Sequence, residues 1–127
     1  MLASSNMASM PDIETTADGG VVAAIEWAII CVDAWLSVQE AKRANTAPSR
    51  KTAQDATAAR IALARAAQLS GAARADGRQY EARKSAAETF RDEFYKNEVA
   101  AERGDLDALA KILGAVDEIR SKAGEWR

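Results

Sequence analysis

The segment from Val21 to Val38 constrains the fold most, because it is apolar on two sides of one predicted helix. At about 100° per residue, one apolar face consists of Ile25, Ile29, Val32 and Leu36. The second apolar face consists of Ala24, Ala28, Cys31, Trp35 and Val38, with Trp27 beside them. A narrow polar seam remains, formed by Glu26, Asp33, Ser37 and Glu40. A helix that is apolar nearly all round is either central in a fold or shared with a partner.

Composition favours an all-α fold for the whole chain. The 127 residues are enough for one domain with a real core. Alanine, the best helix former, occupies 30 positions, whereas glycine occupies 7 and proline 2. An alternation of apolar and polar residues with period two, which would indicate strands, is absent from the sequence. We therefore predict a flexible N-terminal arm at residues 1–17 and one helical domain at residues 18–127.

Breaker and cap residues divide that domain into about four predicted helices. The first runs from an N-cap at Asp18 to Ala44, where Asn45 ends it, and the second covers residues 49–70. The third covers residues 78–103 and ends at Gly104, after which Asp105 caps a fourth helix. The fourth helix has a predicted core face of Leu106, Leu109, Ile112, Leu113, Val116 and Ile119. Short connections favour an up-down helical bundle, with Ile29, Val32 and Leu36 in its core.

The second apolar face of the first helix carries the functional prediction. Each member of an up-down bundle keeps one side towards water, so two apolar faces on one helix cannot both be covered. Exposed tryptophans would form an apolar patch that monomeric proteins seldom tolerate, and Trp often anchors interfaces. We therefore expect the second face to contact another chain, through Trp27, Cys31, Trp35 and Val38.

Charge is distributed in three blocks along the chain. Residues 1–40 have six acids and no Lys or Arg, residues 41–91 have eleven bases and four acids, and residues 92–127 have nine acids and six bases. Such blocks can attract each other within a fold, pair neighbouring subunits, or present a basic face to nucleic acid. The first two interpretations predict structural ion pairs between Glu26 or Asp33 and an arginine of the basic block, with Arg60 and Arg65 as candidates.

The residues that carry most enzyme chemistry are missing from the sequence. There is no histidine, so the commonest general base and metal ligand is absent. Cys31 alone cannot form a zinc site, and no glycine-rich phosphate-binding motif is present. We expect a protein that is not an enzyme and has no cofactor and no metal. A single cysteine in an apolar helix is typical of a reducing, cytoplasmic compartment.

Two functions agree with these features. The first is an assembly or adaptor protein, of phage or bacterial type, that binds itself or another protein through residues 21–38. The alternative is a small nucleic-acid-binding or packaging accessory protein that uses the basic segment 42–91. Its candidate contact residues are Arg43, Arg50, Lys51, Arg74, Arg78, Arg83 and Lys84. We expect no membrane partner, because Glu26 and Asp33 would each cost up to ~3 kcal/mol near the bilayer centre.

Overall fold

The computed structural model describes residues 17–72 and 79–126, and the elements within these ranges are helices without strands. The helices are α1 (Ala17–Arg43), α2 (Arg50–Thr57), α3 (Ala59–Ala72), α4 (Tyr80–Glu102) and α5 (Leu106–Glu125). The predicted all-α class is confirmed. The predicted arm at residues 1–17 lies outside the described residues, apart from Ala17, which begins α1.

The helices pack around a shared core, and α1 contacts all four of the others. It packs most closely against α2 and α3, then against α5, and only slightly against α4. Further contacts join α2 to α3, α3 to α4 and α4 to α5. One side of α1 is therefore covered by α2 and α3, and another side by α5.

The second predicted helix is in fact two helices that meet at Ala58, which is a correction to the sequence prediction. In an unbroken helix the Ala58 N–H would donate to the Gln54 carbonyl. That carbonyl instead accepts the Thr57 hydroxyl at 2.7 Å, and the Ala58 N–H donates to the Asp55 carbonyl at 3.1 Å. Competition from a threonine side chain is a known cause of helix bending. The break lets α2 and α3 follow α1 along different parts of its length.

The predicted chain reversals at Asn45 and Gly104 are confirmed by the backbone. Asn45 has a φ of 58°, and the Thr46 N–H donates to the Ala41 carbonyl at 2.8 Å. Gly104 has a φ of 97°, a region that suits glycine because it lacks a Cβ atom. The carboxylate of Asp105 accepts from the Asp107 and Ala108 N–H groups, as an N-cap does. The predicted cap Asp18 lies within the first turn of α1 instead of before it.

The core combines large side chains from α1, α4 and α5 with alanines from α3. Ile25 and Val32 of α1 are fully buried, as are Phe94 of α4 and Ile112 of α5. Alanines contribute most of the buried face of α3, together with Leu63. Small residues on α3 allow its backbone to approach the bulky side of α1 closely. The core prediction for the first helix is confirmed at Ile29 and Val32, whereas Leu36 is only partly buried.

Candidate interaction surface

The four residues predicted to contact another chain lie mainly in the interior of this one. Trp27 is 3% exposed, Cys31 is 0% exposed and Trp35 is 6% exposed, and Val38 is partly buried against the same core. The rings of Trp35 and Phe94 meet edge to face, with centroids 4.9 Å apart. The expectation that this face needs a partner chain to cover it is therefore wrong.

The prediction was wrong because α1 is not an ordinary member of an up-down four-helix bundle: it contacts all four other helices. The predicted second helix divides at Ala58 into α2 and α3, which both pack against α1, and Phe94 of α4 contacts Trp35, so the face that carries the tryptophans is covered within the chain. Another side of α1 packs against α5. What remains in contact with water is an exposed or half-exposed stripe with alternating steps of three and four residues: Ala23, Glu26, Ile30, Asp33, Ser37 and Glu40. This stripe contains the polar seam that the sequence predicted.

Large apolar side chains of the described residues are exposed on four helices, singly at Ile30, Ile61 and Val99 and as a pair on α5. The predicted core face of this helix is wrong at two positions, because Leu106 is 59% exposed and Leu113 is 50% exposed. Only one stripe of α5 reaches the core, formed by Ala108, Ile112, Val116, Ile119 and Ala123. Leu109 lies at the edge of that stripe and is partly buried. The leucines thus form a second apolar stripe beside the one that fills the core.

The α5 leucines line a groove of about 590 Å³ between α1 and α5, called here the α1/α5 groove. One wall is formed by Leu106, Leu109, Ala110 and Leu113 of α5. The other wall is formed by Asp33, Leu36, Ser37, Glu40 and Arg43 of α1. An apolar floor with charged groups at the edge is a typical arrangement for a protein-binding surface.

Two ion pairs lie at the edges of the α1/α5 groove. The Arg120 guanidinium of α5 donates to the Asp33 carboxylate of α1, so this pair joins the two walls. The Arg43 guanidinium donates to the Glu40 carboxylate at 2.8 Å. Partial burial raises the pKa of the Asp33 carboxyl above its ordinary value, although Arg120 opposes that shift. Because the side chains of both pairs are well exposed, each pair contributes little stability and can change partners.

Two of the four residues predicted to form ion pairs, Asp33 and Arg60, do so with partners other than the predicted ones. Asp33 pairs with Arg120 of α5, not with an arginine of the basic block. Arg60 pairs with Glu98 at 2.9 Å, and its guanidinium lies 4.4 Å from the centre of the Tyr95 ring. Glu26 and Arg65 are both half-buried. Sequence reasoning missed Arg120, because nothing local shows which helix lies beside Asp33.

One of the cations proposed for nucleic-acid contact does not lie on an open surface. Arg83 is buried, and its guanidinium lies 5.7 Å from the centre of the Trp126 ring. A buried arginine cannot reach a phosphate, so this assignment is wrong. Arg74 and Arg78 lie outside the described residues.

The other proposed cations are largely paired with carboxylates of the same chain. Arg50 is exposed at the start of α2. The three remaining pairs are Arg43–Glu40 at 2.8 Å, Lys51–Asp55 at 2.9 Å and Lys84–Glu88 at 3.2 Å. Each of these pairs is formed within one helix, at a spacing of three or four residues. Phosphates would have to compete with these carboxylates for the cations.

Cys31 has the properties of a structural cysteine. Burial and, to a smaller extent, the nearby carboxylate of Asp55 raise the pKa of its thiol to about 12, while Lys51 acts in the opposite direction. A thiol that stays protonated at neutral pH is a poor nucleophile and a poor metal ligand. Within the described ranges no group of three His, Cys, Asp or Glu side chains could hold a metal ion.

A second groove lies between α4 and α5, with a volume of about 380 Å³. Its floor is formed by Phe90 and Ile119, and its edges carry both acidic and basic side chains, among them Glu93, Lys111 and Lys122. Phe90 and Ile119 are already buried, so this groove exposes no large apolar side chain. The α1/α5 groove is the better candidate for binding another protein, since it does.

The part of α1 from Gly20 to Arg43 is long and apolar enough to span a membrane. Within its most apolar stretch of 18 residues, 56% is buried inside the molecule, and the core helix of a soluble protein meets the same requirements of length and composition.

The sequence matches no family model, no curated protein and no solved structure. The surface itself therefore provides the functional argument.

Proposed function

We propose that this protein is a non-enzymatic assembly or adaptor protein that docks on a protein partner through the α1/α5 groove. The single observation that carries the proposal is the exposure of Leu106 and Leu113 in a groove with charged edges. Large apolar side chains that share one groove commonly mark a protein interaction site. The proposed surface differs from the one predicted from sequence, because it consists of the exposed stripe of α1 together with α5 instead of the tryptophan face of α1.

Several properties of the chain support a binding role over a catalytic one. The sequence has no histidine, and burial keeps the Cys31 thiol protonated. Nucleic-acid binding is less well supported, because Arg43, Lys51 and Lys84 are paired with carboxylates. We propose a cytoplasmic location on the ground that the only cysteine is a free buried thiol.

Site-specific photo-cross-linking in the cells that naturally make the protein tests this proposal. A photoreactive amino acid replaces Leu113 in one variant and Ile61 of α3 in the control. Both residues are strongly exposed, but Ile61 does not line the α1/α5 groove. Position 113 should give a discrete cross-linked product of higher mass, and position 61 should not. A missing product at position 113, or equal products at both positions, would contradict the proposed function.

A further inference from the structure

We propose that the α1/α5 groove is filled by a second copy of the same chain, with the two α5 helices crossing antiparallel near Ala110. This inference rests on the proposed function, since it names the partner of the same groove. It also changes the surface predicted from sequence, because the tryptophans of α1 take no part in it. A two-fold contact of this kind uses the same patch on both copies, so the patch must be complementary to itself.

The pattern of the α5 wall suits a helix crossing. Leu106, Leu109, Ala110 and Leu113 are spaced i, i+3, i+4 and i+7, which places them on one stripe of the helix. The smallest of them, Ala110, is exposed and lies between the leucines. Two helices can approach closely where alanine meets alanine, and the leucines on either side then interdigitate. A two-fold axis through this point places every exposed leucine of one copy against the leucine stripe of the other.

The charges at the edges of the groove are also compatible with a second copy. The edges carry charges of both signs: Glu40 pairs with Arg43, and Arg120 pairs with both Asp33 and Asp117. An edge with both signs can match an identical edge, whereas a strongly acidic or basic partner would meet like charges along part of it. Glu40 and Arg43 line the groove together with Leu106 and Leu109. Near a two-fold axis, the Glu40 carboxylate can therefore pair with Arg43 of the other copy.

The size of the surface is adequate for a dimer. A helix of 20 residues such as α5 is about 30 Å long. Two helices packed side by side present a face about 20 Å wide, which makes roughly 600 Å² before side-chain relief is included. Stable dimers bury about 800 Å² on each partner. The face of α1 and α5 is thus of the right order, and a formal charge of −2 per chain causes only weak repulsion between copies.

Sedimentation of the full chain tests for a dimer and for the surface it uses. The parent protein should sediment with twice the 13.6 kDa mass of one chain at about 100 µM and dissociate on dilution. Leu113→Glu should raise the dissociation constant at least about 30-fold, the loss expected for a central interface residue. The matched control Ile61→Glu places the same charge at an exposed apolar position on α3, and it should leave the mass unchanged. Circular dichroism of each variant confirms that its helices are intact.

A disulfide tests the crossing point independently. Ala110→Cys in a Cys31→Ala background should form a covalent dimer under mild oxidation, because a disulfide needs Cα atoms about 4.4–6.8 Å apart. Gln68→Cys, at an exposed position of α3, serves as the control and should stay monomeric. Equal cross-linking at both positions would show random collisions and overturn the proposed geometry.

The outcomes separate this inference from the proposed function. A parent protein that stays monomeric at about 100 µM overturns the inference. A dimer that Leu113→Glu leaves intact overturns it as well. In both cases the proposed function is judged by the photo-cross-linking alone, where a product with a different protein at position 113 would support it. A cross-linked product composed of two copies of this chain supports both proposals.

Discussion

Replacing Trp35 with alanine should destabilise the single chain strongly, because the side chain is buried in the core of the monomer. Large-to-small changes of buried Trp or Phe cost about 3–5 kcal/mol, through lost burial and the cavity that remains. The edge-to-face contact with Phe94 is worth about 0.5–1.5 kcal/mol of that amount. We therefore expect Trp35→Ala to lower the free energy of unfolding by about 4 kcal/mol. For a domain of this size the melting temperature should fall by about 12–16 °C.

The assay is urea denaturation followed by circular dichroism at two protein concentrations that differ about twentyfold. Loss of core packing destabilises the monomer equally at both concentrations, whereas loss of an interface has an effect that grows with the population of dimer. Trp35→Phe keeps an aromatic ring beside Phe94 and should cost less than half as much. Ile61→Ala, at an exposed position, should cost less than about 0.5 kcal/mol.

Two results would refute this reasoning. A cost of less than about 1 kcal/mol for Trp35→Ala would show that the side chain is not packed as described. A cost that depends strongly on protein concentration would return Trp35 to the interface between chains. The second result would also undermine the assignment of the α1/α5 groove as the docking surface, since the tryptophan face would then be accessible.

Three further predictions concern local features of the fold. Cys31 should react with Ellman's reagent far more slowly in the native protein than in urea. The reason is that raising the thiol pKa from 9.0 to about 12 lowers the thiolate fraction at pH 8 about a thousandfold. Native and unfolded reaction rates within tenfold of each other would contradict this prediction. Since the folded pKa exceeds the unfolded one, the thiol's contribution to stability is complete below pH 9 and is lost as the pH rises towards 12, and alkaline urea titrations of Cys31→Ala should lack this loss. Asp105→Ala should cost about 1 kcal/mol in urea denaturation, as loss of an N-cap does, and an unchanged midpoint would exclude the cap. Gly114→Ala should raise the melting temperature, because the added Cβ would meet open space inside a helix. Gly104→Ala should lower the melting temperature, because the φ of this residue is 97°. A change of melting temperature in the same direction for both variants would contradict this account.

Local sequence signals predicted the ends of α1 and α4 and the start of α5, but not the start of α1, since Asp18 lies inside that helix. The helix ends at Asn45 and Gly104 and the cap at Asp105 depend on interactions within a few residues, so the residue types are sufficient. The break at Ala58 is also local, but it lies among strong helix formers. It occurs because the Gln54 carbonyl accepts the Thr57 hydroxyl in place of the Ala58 N–H. Most threonines inside helices make no such break, so the residue type alone did not predict one.

Interactions between helices could be predicted only in part. The polar seam of α1 was identified correctly, because amphipathic periodicity shows which positions face water. The partner of Asp33 was not, because sequence spacing does not show that Arg120, 87 positions further along the chain, lies beside it. The same limit applied to the tryptophans. Periodicity showed that Trp27 and Trp35 need a cover, but not that other helices of the same chain, with Phe94 of α4 among their residues, provide it.

The apolar face of α5 is wider than one core requires, and this width is a sequence feature that could have predicted the proposed docking surface. Its apolar positions extend over about 140° of the helix, more than the roughly 100° needed to face one core. The buried positions, such as Ile112 and Val116, account for one side of this arc. Leu106 and Leu113 occupy the other side, where the neighbouring surface of α1 is polar and cannot cover them. In this chain Trp27 and Trp35 fill the interior, and the excess width of the α5 face provides the exposed apolar side chains on which the proposed docking site rests.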